Sequence, residues 1–182
     1  MAVVVLSLGL SACSSPTVAP GPETVRADVA ATGIPAFYAP PQPLPAGAPG
    51  SLIRTEKVTG VPGVPAGATV WRILFHSRSI YDHDIAESGY VVVPSGKAPA
   101  GGRPILSWAH GTTGFAGICA PSLFTSQGGV GPYLVPGLAD YLRAGFVVAA
   151  TDYEGLGTPG IHPYLLGESE GRGVQLTSRR RR

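Results

Sequence analysis

Apolar residues recur along the chain in short runs separated by glycine- and proline-rich turns. Four of these runs predict β-strands because they are rich in β-branched and aromatic residues: 68–77, 88–96, 103–111 and 146–155. The residues between the first two, RSIYDHDIAE, predict a hairpin-type connection. The last run, FVVAATDYEG, is almost continuously apolar, which is typical of a strand buried on both faces of a sheet.

The stretch GPYLVPGLADYLRAG, just before the last strand, predicts a helix. Leu138, Tyr141 and Leu142 fall on one helical face, and Gly145 stands where a C-terminal glycine belongs. The order is therefore a hairpin followed by strand, helix and strand. This order predicts an α/β fold in which an antiparallel hairpin leads into a mostly parallel, doubly wound sheet.

The first 13 residues have the pattern of a bacterial lipoprotein signal peptide. An apolar run is followed by Leu-Ser-Ala-Cys, which resembles a lipobox that ends at Cys13. Cleavage before Cys13 would leave that thiol to carry a lipid. The pattern therefore predicts export, either as a lipid-anchored protein of the cell envelope or as a secreted protein.

Three further segments follow this leader. Residues 14–50 are rich in proline, alanine and glycine and predict a tether and an extended arm, which Phe37 and Tyr38 would dock on the body. Residues 51–173 predict a partial α/β domain. Residues 174–182 end in four arginines and show no apolar period; we interpret them as a tail produced by loss of the natural reading frame near Gly173, with an ordinary solvated tail as the alternative.

Charge and composition exclude several classes of protein. Hydrophobic residues make up 44% of the 182, which indicates a globular body. The net charge of +2 depends on the four terminal arginines, so no basic surface for nucleic acid is expected. Neither cysteine has the spacing of a metal ligand, and His83 between Asp82 and Asp84 is interpreted as turn polarity, so we expect no metal and no cofactor.

Two glycine-containing loops follow predicted strands and could carry chemistry. In SWAHGTTGFAG, Gly111 and Gly114 would let backbone N–H groups approach a substrate oxyanion, or they could simply close a turn. In TDYEGLG, Asp152 could be catalytic or could brace its loop by accepting backbone hydrogen bonds. The sequence alone leaves both choices open.

Ser169 lies in GESEG, a match to the G-x-S-x-G of hydrolase nucleophiles. Such a serine needs a strand immediately before it, but Pro159 and Pro163 occupy that stretch and proline is kept out of central strands. No histidine follows Ser169. Glu168 and Glu170 instead suit the first turn of a helix, where the helix dipole favours anions. We interpret Ser169 as structural rather than nucleophilic.

Taken in order, several stretches resemble the secretory lipase family of the lipase A type. They are PLPAGAPGSLIRTE, VWRILFHSRS, VVVPSG, LSWAHGTTGFAGICAPS, LADYLRAGFVVAATDYEGLG and HPYLLGESEGRGV. The likeness covers roughly residues 36–174. It implies an exported α/β-hydrolase that acts on acylglycerols and other carboxylic esters.

The resemblance also implies where the catalytic groups belong. In the family an oxyanion donor comes from the loop that matches Gly111, Thr112 and Thr113. The nucleophile lies on a later G-x-S-x-G after a further strand, and the acid and histidine follow it; none of these positions has a match here. The cysteine that matches Cys119 pairs with a downstream cysteine in the family.

The sequence thus predicts the N-terminal part of a secretory lipase that is inactive as an isolated chain. Its substrate class would be lipid or other esters, with membrane anchoring through a lipidated Cys13. Two alternatives remain: a minimal esterase that uses Ser169, and a non-catalytic surface lipoprotein that binds lipid or a partner.

Overall fold

The computed structural model describes residues 33–124 and 135–177, which form a five-stranded sheet with a helix on each face. The strands are β1 (Leu52–Val58), β2 (Thr69–Arg78), β3 (Asp84–Val93), β4 (Ile105–Trp108) and β5 (Val147–Thr151). The helices are α1 (Leu138–Arg143) and α2 (Gly167–Thr177), and 3₁₀ turns lie at Ala36–Tyr38, Gly117–Cys119 and Pro121–Leu123. The predicted signal peptide with Cys13, the first part of the tether and the arginine run lie outside the described residues.

The sheet has the order β1-β2-β3-β5-β4. The α/β class, the hairpin and the strand–helix–strand unit are confirmed. Within the described residues, however, the sheet is mixed rather than mostly parallel: β4 and β5 pair in parallel, and the other three pairs are antiparallel. The reason is that β1, β2 and β3 form a meander, and β3 then pairs antiparallel with β5.

The strands differ from the predicted runs mainly at their ends. The register of β2 against β3 extends to the pair Arg78–Asp84, so β3 begins four residues before the predicted run at 88. The turn between the two strands is therefore only residues 79–83. β4 ends at Trp108, before the predicted 111, because the chain leaves the sheet to form the His-Gly loop.

Side chains alternate between the two faces of the central strands, as the pleat of a strand requires. One face presents Tyr90, Val92, Val148 and Ala150, which pack with Leu138 and Leu142 of α1. The other face presents Ile73, Phe75 and Val91, which pack with Leu176 of α2. Helices thus cover both faces, which confirms the interpretation of β5 as a strand buried on both sides.

Helix α2 corrects the predicted start of the tail. The helix continues through Val174 to Thr177, and Leu176 is buried against the sheet. Its backbone is also tied to the sheet, since the Ser107 hydroxyl donates to the carbonyl of Val174 over 2.6 Å. Residues 174–177 therefore belong to the α/β body. A single buried leucine, one residue before the end of the helix, was too weak a signal to reveal helical periodicity.

The arm docks on the body through Tyr38, as predicted. Tyr38 is fully buried in a small apolar cluster with Ala120, Leu123 and Leu156. Arg54 of β1 donates to three carbonyls of the arm, including that of Phe37 over 2.7 Å. The arm is therefore held both by burial of an aromatic ring and by hydrogen bonds to its backbone.

Candidate functional site

The candidate oxyanion loop, residues His110–Gly114, follows β4 at its carboxyl end. Gly111 and Thr112 are exposed, whereas His110 is buried. Gly114 has φ +124°, and a Cβ at that position would lie 2.5 Å from Sγ of Cys119. Glycine is therefore required there, because the loop passes directly against Cys119 in a conformation that other residues rarely adopt.

His110 holds the loop from inside. Its Nδ1 lies 2.7 Å from the carbonyl oxygen of Gly111, and since a carbonyl can only accept, Nδ1 carries the proton. The ring packs on Tyr153 with centroids 4.3 Å apart, and the Tyr153 hydroxyl donates to the carbonyl of His110 over 2.9 Å. These contacts orient the backbone of Gly111 and make His110 a structural support of the loop.

An aromatic column connects the loop to the segment before α2. The rings of Tyr153 and His162 are nearly parallel with centroids 6.3 Å apart, and His162 in turn contacts Tyr164. The Tyr164 hydroxyl lies 3.3 Å from Oγ1 of Thr112. Little in the sequence suggested a role for either tyrosine. The one available signal was that an aromatic residue, Tyr153, directly follows Asp152. Through the contact with Tyr164, the column reaches the side chain of Thr112.

Asp152 braces the site rather than facing solvent. Its fully buried carboxylate accepts the backbone N–H of Ser122 at 2.8 Å and the Ser88 hydroxyl at 2.6 Å, and it also accepts the Ser122 hydroxyl. Burial raises the pKa of Asp152, and the hydrogen bonds from Ser122 and Ser88 oppose that rise. Of the two roles left open by the sequence, the contacts fit the brace.

Ser169 lies in the first turn of α2, and its side chain is buried. Its hydroxyl donates to the carboxylate of Glu154 over 2.6 Å. The strand that precedes it, β5, ends at Thr151, and turns and bends occupy the residues between. Glu168 and Glu170 share its turn, as predicted. The structure thus places Ser169 on a helix. Ser169 is distant in sequence from Gly111, Thr112 and Thr113, and its hydroxyl bonds to Glu154 instead.

Metal-ligating residues do not converge within the described ranges: no group of three histidine, cysteine, aspartate or glutamate side chains there could hold an ion. The side chains of the DHD stretch at 82–84 do not converge on one site. His83 is exposed, whereas Asp84 turns inward to accept from Nδ1 of His76 at 3.0 Å. Cys119 is a free thiol.

Large apolar side chains are exposed in two segments. One directly follows the loop in sequence, and the other contains Tyr164, which contacts Thr112. Phe115 follows Gly114 directly, and the segment before α2 exposes Ile161, Leu165, Leu166 and part of Tyr164. No helix in the described part of the chain is both long and apolar enough to cross a membrane. The loop is therefore followed directly by an exposed apolar side chain, Phe115, and contacts the segment before α2 through Tyr164.

Comparison with known proteins identifies the fold of this chain through solved structures and not through sequence. No protein-family model matches the chain, and no curated protein matches its sequence. Among solved structures, lipase A of Candida antarctica in its closed state superposes with a TM-score of 0.60 at 21% identity, over 79% of this chain and 34% of that one. The rice cell wall degrading esterase LipA of Xanthomonas oryzae gives 0.55 at 21% identity, over 72% and 36%.

The chain thus spans about a third of the length of the solved structures it matches. At this level of identity the likeness establishes the fold. The sheet and its flanking helices have the α/β-hydrolase-like fold of these lipases and esterases.

Proposed function

We propose that this chain carries the oxyanion-stabilising part of a secreted serine carboxylic-ester hydrolase of the secretory lipase type. The observation that supports the proposal is the exposed Gly111–Thr112 backbone, held rigid by buried His110, Tyr153 and the Thr112–Tyr164 contact. Preorganised N–H donors of this kind stabilise the tetrahedral intermediate of acyl transfer at no cost in reorganisation.

In this mechanism a serine attacks the ester carbonyl, a histidine takes its proton, and backbone N–H groups of Thr112 and Thr113 bind the oxyanion. Ser169 is not that serine, because its hydroxyl is buried and donates to Glu154. His110 is not that histidine, because its ring is buried and Nδ1 is bonded to its own loop. The proposal places the nucleophile, its histidine and its acid outside residues 1–182.

The exposed apolar residues that adjoin the loop in sequence, or adjoin its contact residue Tyr164, support an ester with an apolar acyl group. Phe115, which directly follows the loop that would hold the carbonyl oxygen, is exposed by 77%. Leu165, which follows the loop-contacting Tyr164, is exposed by 71%. A polar substrate would leave this surface without a partner. We therefore propose lipid or other apolar esters as the substrate class.

A chimera tests the oxyanion assignment and the role of Ser169 together. Residues 33–177 replace the matched part of the Xanthomonas esterase, whose own chain supplies the remaining domain. In a chimera that hydrolyses a short-chain chromogenic ester, Thr112→Pro or Thr113→Pro should lower kcat by about 10²–10³ because the donor N–H is lost. Thr112→Ser keeps both the N–H and the hydroxyl that contacts Tyr164, and it is the matched control. Ser169→Ala should leave kcat close to that of the parent.

Two results would contradict the proposal. Full activity in both proline variants would show that neither N–H binds the oxyanion. Ester hydrolysis by the isolated 182-residue chain that disappears in Ser169→Ala would identify a minimal esterase with Ser169 as its nucleophile. Thermal melting of each variant, monitored by circular dichroism, shows whether the variant still unfolds cooperatively. A variant that does so has lost the N–H donor and not the fold.

We also propose export and lipidation at Cys13. Expression in a bacterium that processes lipoproteins should yield a mature chain that begins at Cys13, carries the mass of an attached lipid and partitions into detergent. Cys13→Ser should abolish the lipid, whereas Cys119→Ser, the other cysteine variant, should retain it. Intact-mass spectrometry measures both. A chain that keeps residues 1–12, or one cleaved elsewhere without lipid, would refute the proposal.

A further inference from the structure

Glu87 of β3 is a carboxyl group buried in the centre of the domain, and no proposed catalytic step uses it. The residue is 1% exposed. Oε1 accepts the hydroxyl of Thr151 on the neighbouring strand β5, whereas Oε2 has no partner in good hydrogen-bond geometry, although the Ser77 hydroxyl lies close to the carboxyl. The backbone of Gly173 in α2 lies directly over this carboxyl, so that even a methyl group there would collide with it. Glu87 therefore occupies the interface between the sheet and α2.

The charged groups around Glu87 are unfavourable for a carboxylate. From the loop after β5, Asp152 and Glu154 add negative charge. From α2, the cation Arg172 is turned away and donates to Ser79, Asp82 and Glu168. From β2, His76 and Arg78 contact Asp84 instead. An ionised Glu87 would thus be a buried charge without a neutralising partner.

These surroundings favour the neutral acid. Burial is the largest cause of a pKa of about 7 for Glu87, and the charges of Asp152 and Glu154 raise it further, whereas the Thr151 and Ser77 hydroxyls oppose the rise. The neutral group can keep its proton on Oε2 while Oε1 continues to accept from Thr151.

We propose that Glu87 is a proton-dependent latch that holds α2 on the sheet when it is neutral and loosens α2 when it ionises. The geometry extends the effect to the loop after β4. Thr151 Oγ1 also accepts the N–H of Tyr153 over 2.9 Å, and the Tyr153 hydroxyl holds the carbonyl of His110. Ionisation of Glu87 thus disturbs the same strand end that supports Gly111. The latch does not depend on any hydrolytic activity.

The sign of the pH effect follows from proton linkage. Unfolding returns the pKa of Glu87 from about 7 toward its ordinary value of 4.5. Between these values the folded chain binds the proton and the unfolded chain does not, so stability falls as pH rises. The stabilisation is fully present below the unfolded pKa and is lost once pH exceeds the folded pKa. Asp152, whose pKa is also raised, contributes in the same direction.

The purified 182-residue chain tests the latch by thermal unfolding over a series of pH values. The melting temperature should fall by about 5–10 °C between about pH 5 and pH 8, with amide exchange of α2 increasing over the same range. Glu87→Gln keeps the shape and removes the titration, so it should remove roughly half of the fall or more. Glu56→Gln, at a half-exposed glutamate on β1, is the matched control and should keep the full fall.

A direct titration keeps the proposal falsifiable if Glu87→Gln folds poorly. Carbon-13 NMR of the side-chain carboxyls in the wild-type chain should show one glutamate, assigned to Glu87, with a midpoint near 7. A midpoint in the ordinary range for Glu87 would overturn the latch. So would a pH dependence of melting that is the same in Glu87→Gln and the wild type, or amide exchange of α2 that does not change with pH.

Discussion

Tyr38→Ala is expected to lower the free energy of unfolding by about 3–5 kcal/mol, the usual cost of removing a fully buried aromatic ring. The ring lies between the arm and the 3₁₀ turns that follow the oxyanion loop, in contact with Leu123 and Leu156. Its removal leaves a cavity that these turns cannot close, because Arg54 continues to hold the arm backbone in place. Chemical denaturation with fluorescence detection measures the loss.

Two further variants separate the ring from its hydroxyl. The Tyr38 hydroxyl lies 2.7 Å from Oγ of Ser122, which donates to Asp152. Tyr38→Phe keeps the ring and should cost only about 0.5–1.5 kcal/mol for one hydrogen bond. Tyr81→Ala, at a tyrosine that is 75% exposed, is the surface control and should change stability little. A Tyr38→Ala loss as small as that of Tyr81→Ala would mean that the arm is not part of the folded body.

Two glycines of α2, two positions apart, should respond to alanine in opposite directions. At Gly173 an added Cβ meets the Glu87 carboxyl and lies 3.0 Å from the Thr151 hydroxyl, and both groups are buried. Gly173→Ala should therefore cost about 1–3 kcal/mol through overpacking. At Gly171 nothing lies within 4 Å, so Gly171→Ala should stabilise by roughly 0.5–1 kcal/mol, the difference in helix propensity.

The opposite signs make this pair a sharp test, since both variants gain the same helix propensity and differ only in what the methyl group meets. The measurement is the free energy of unfolding of each variant from denaturant titration, with unchanged m-values as a check on two-state behaviour. Two stabilised variants would mean that α2 does not pack on Glu87. That result would also remove the structural basis of the latch.

The positions of the elements were largely predictable because their signals are local. The apolar run around Val148 fixed β5, the aromatic and β-branched run of 68–77 fixed β2, and Gly145 marked the end of α1. The loop after β4 was also recognisable, because its glycines follow a strand directly. The end of α2 was not, because only Leu176 among its last residues reports burial.

The candidate site was less predictable because it is built from residues that are distant in sequence. Ser88 and Asp152 are brought together by the pairing of β3 with β5, which no periodicity in either strand specifies. Tyr164 reaches Thr112 only because the segment before α2 folds back over the loop. The GESEG match shows the converse. The motif is local, but its meaning depends on whether a strand precedes it, and here a helix contains it.

By itself, then, the sequence determined where four of the five strands and the body of each helix lie in the described residues, but not β1 or the end of α2. It also determined that both faces of β5 are covered and which loop presents glycine backbone, since these follow from side-chain period and backbone preference within a few residues. Only the tertiary structure decided the mixed order of the sheet, the bracing role of Asp152, the partner of Ser169 and the burial of Glu87. The reason is that strand pairing and burial are set by contacts between segments far apart in the chain, which a local pattern does not encode.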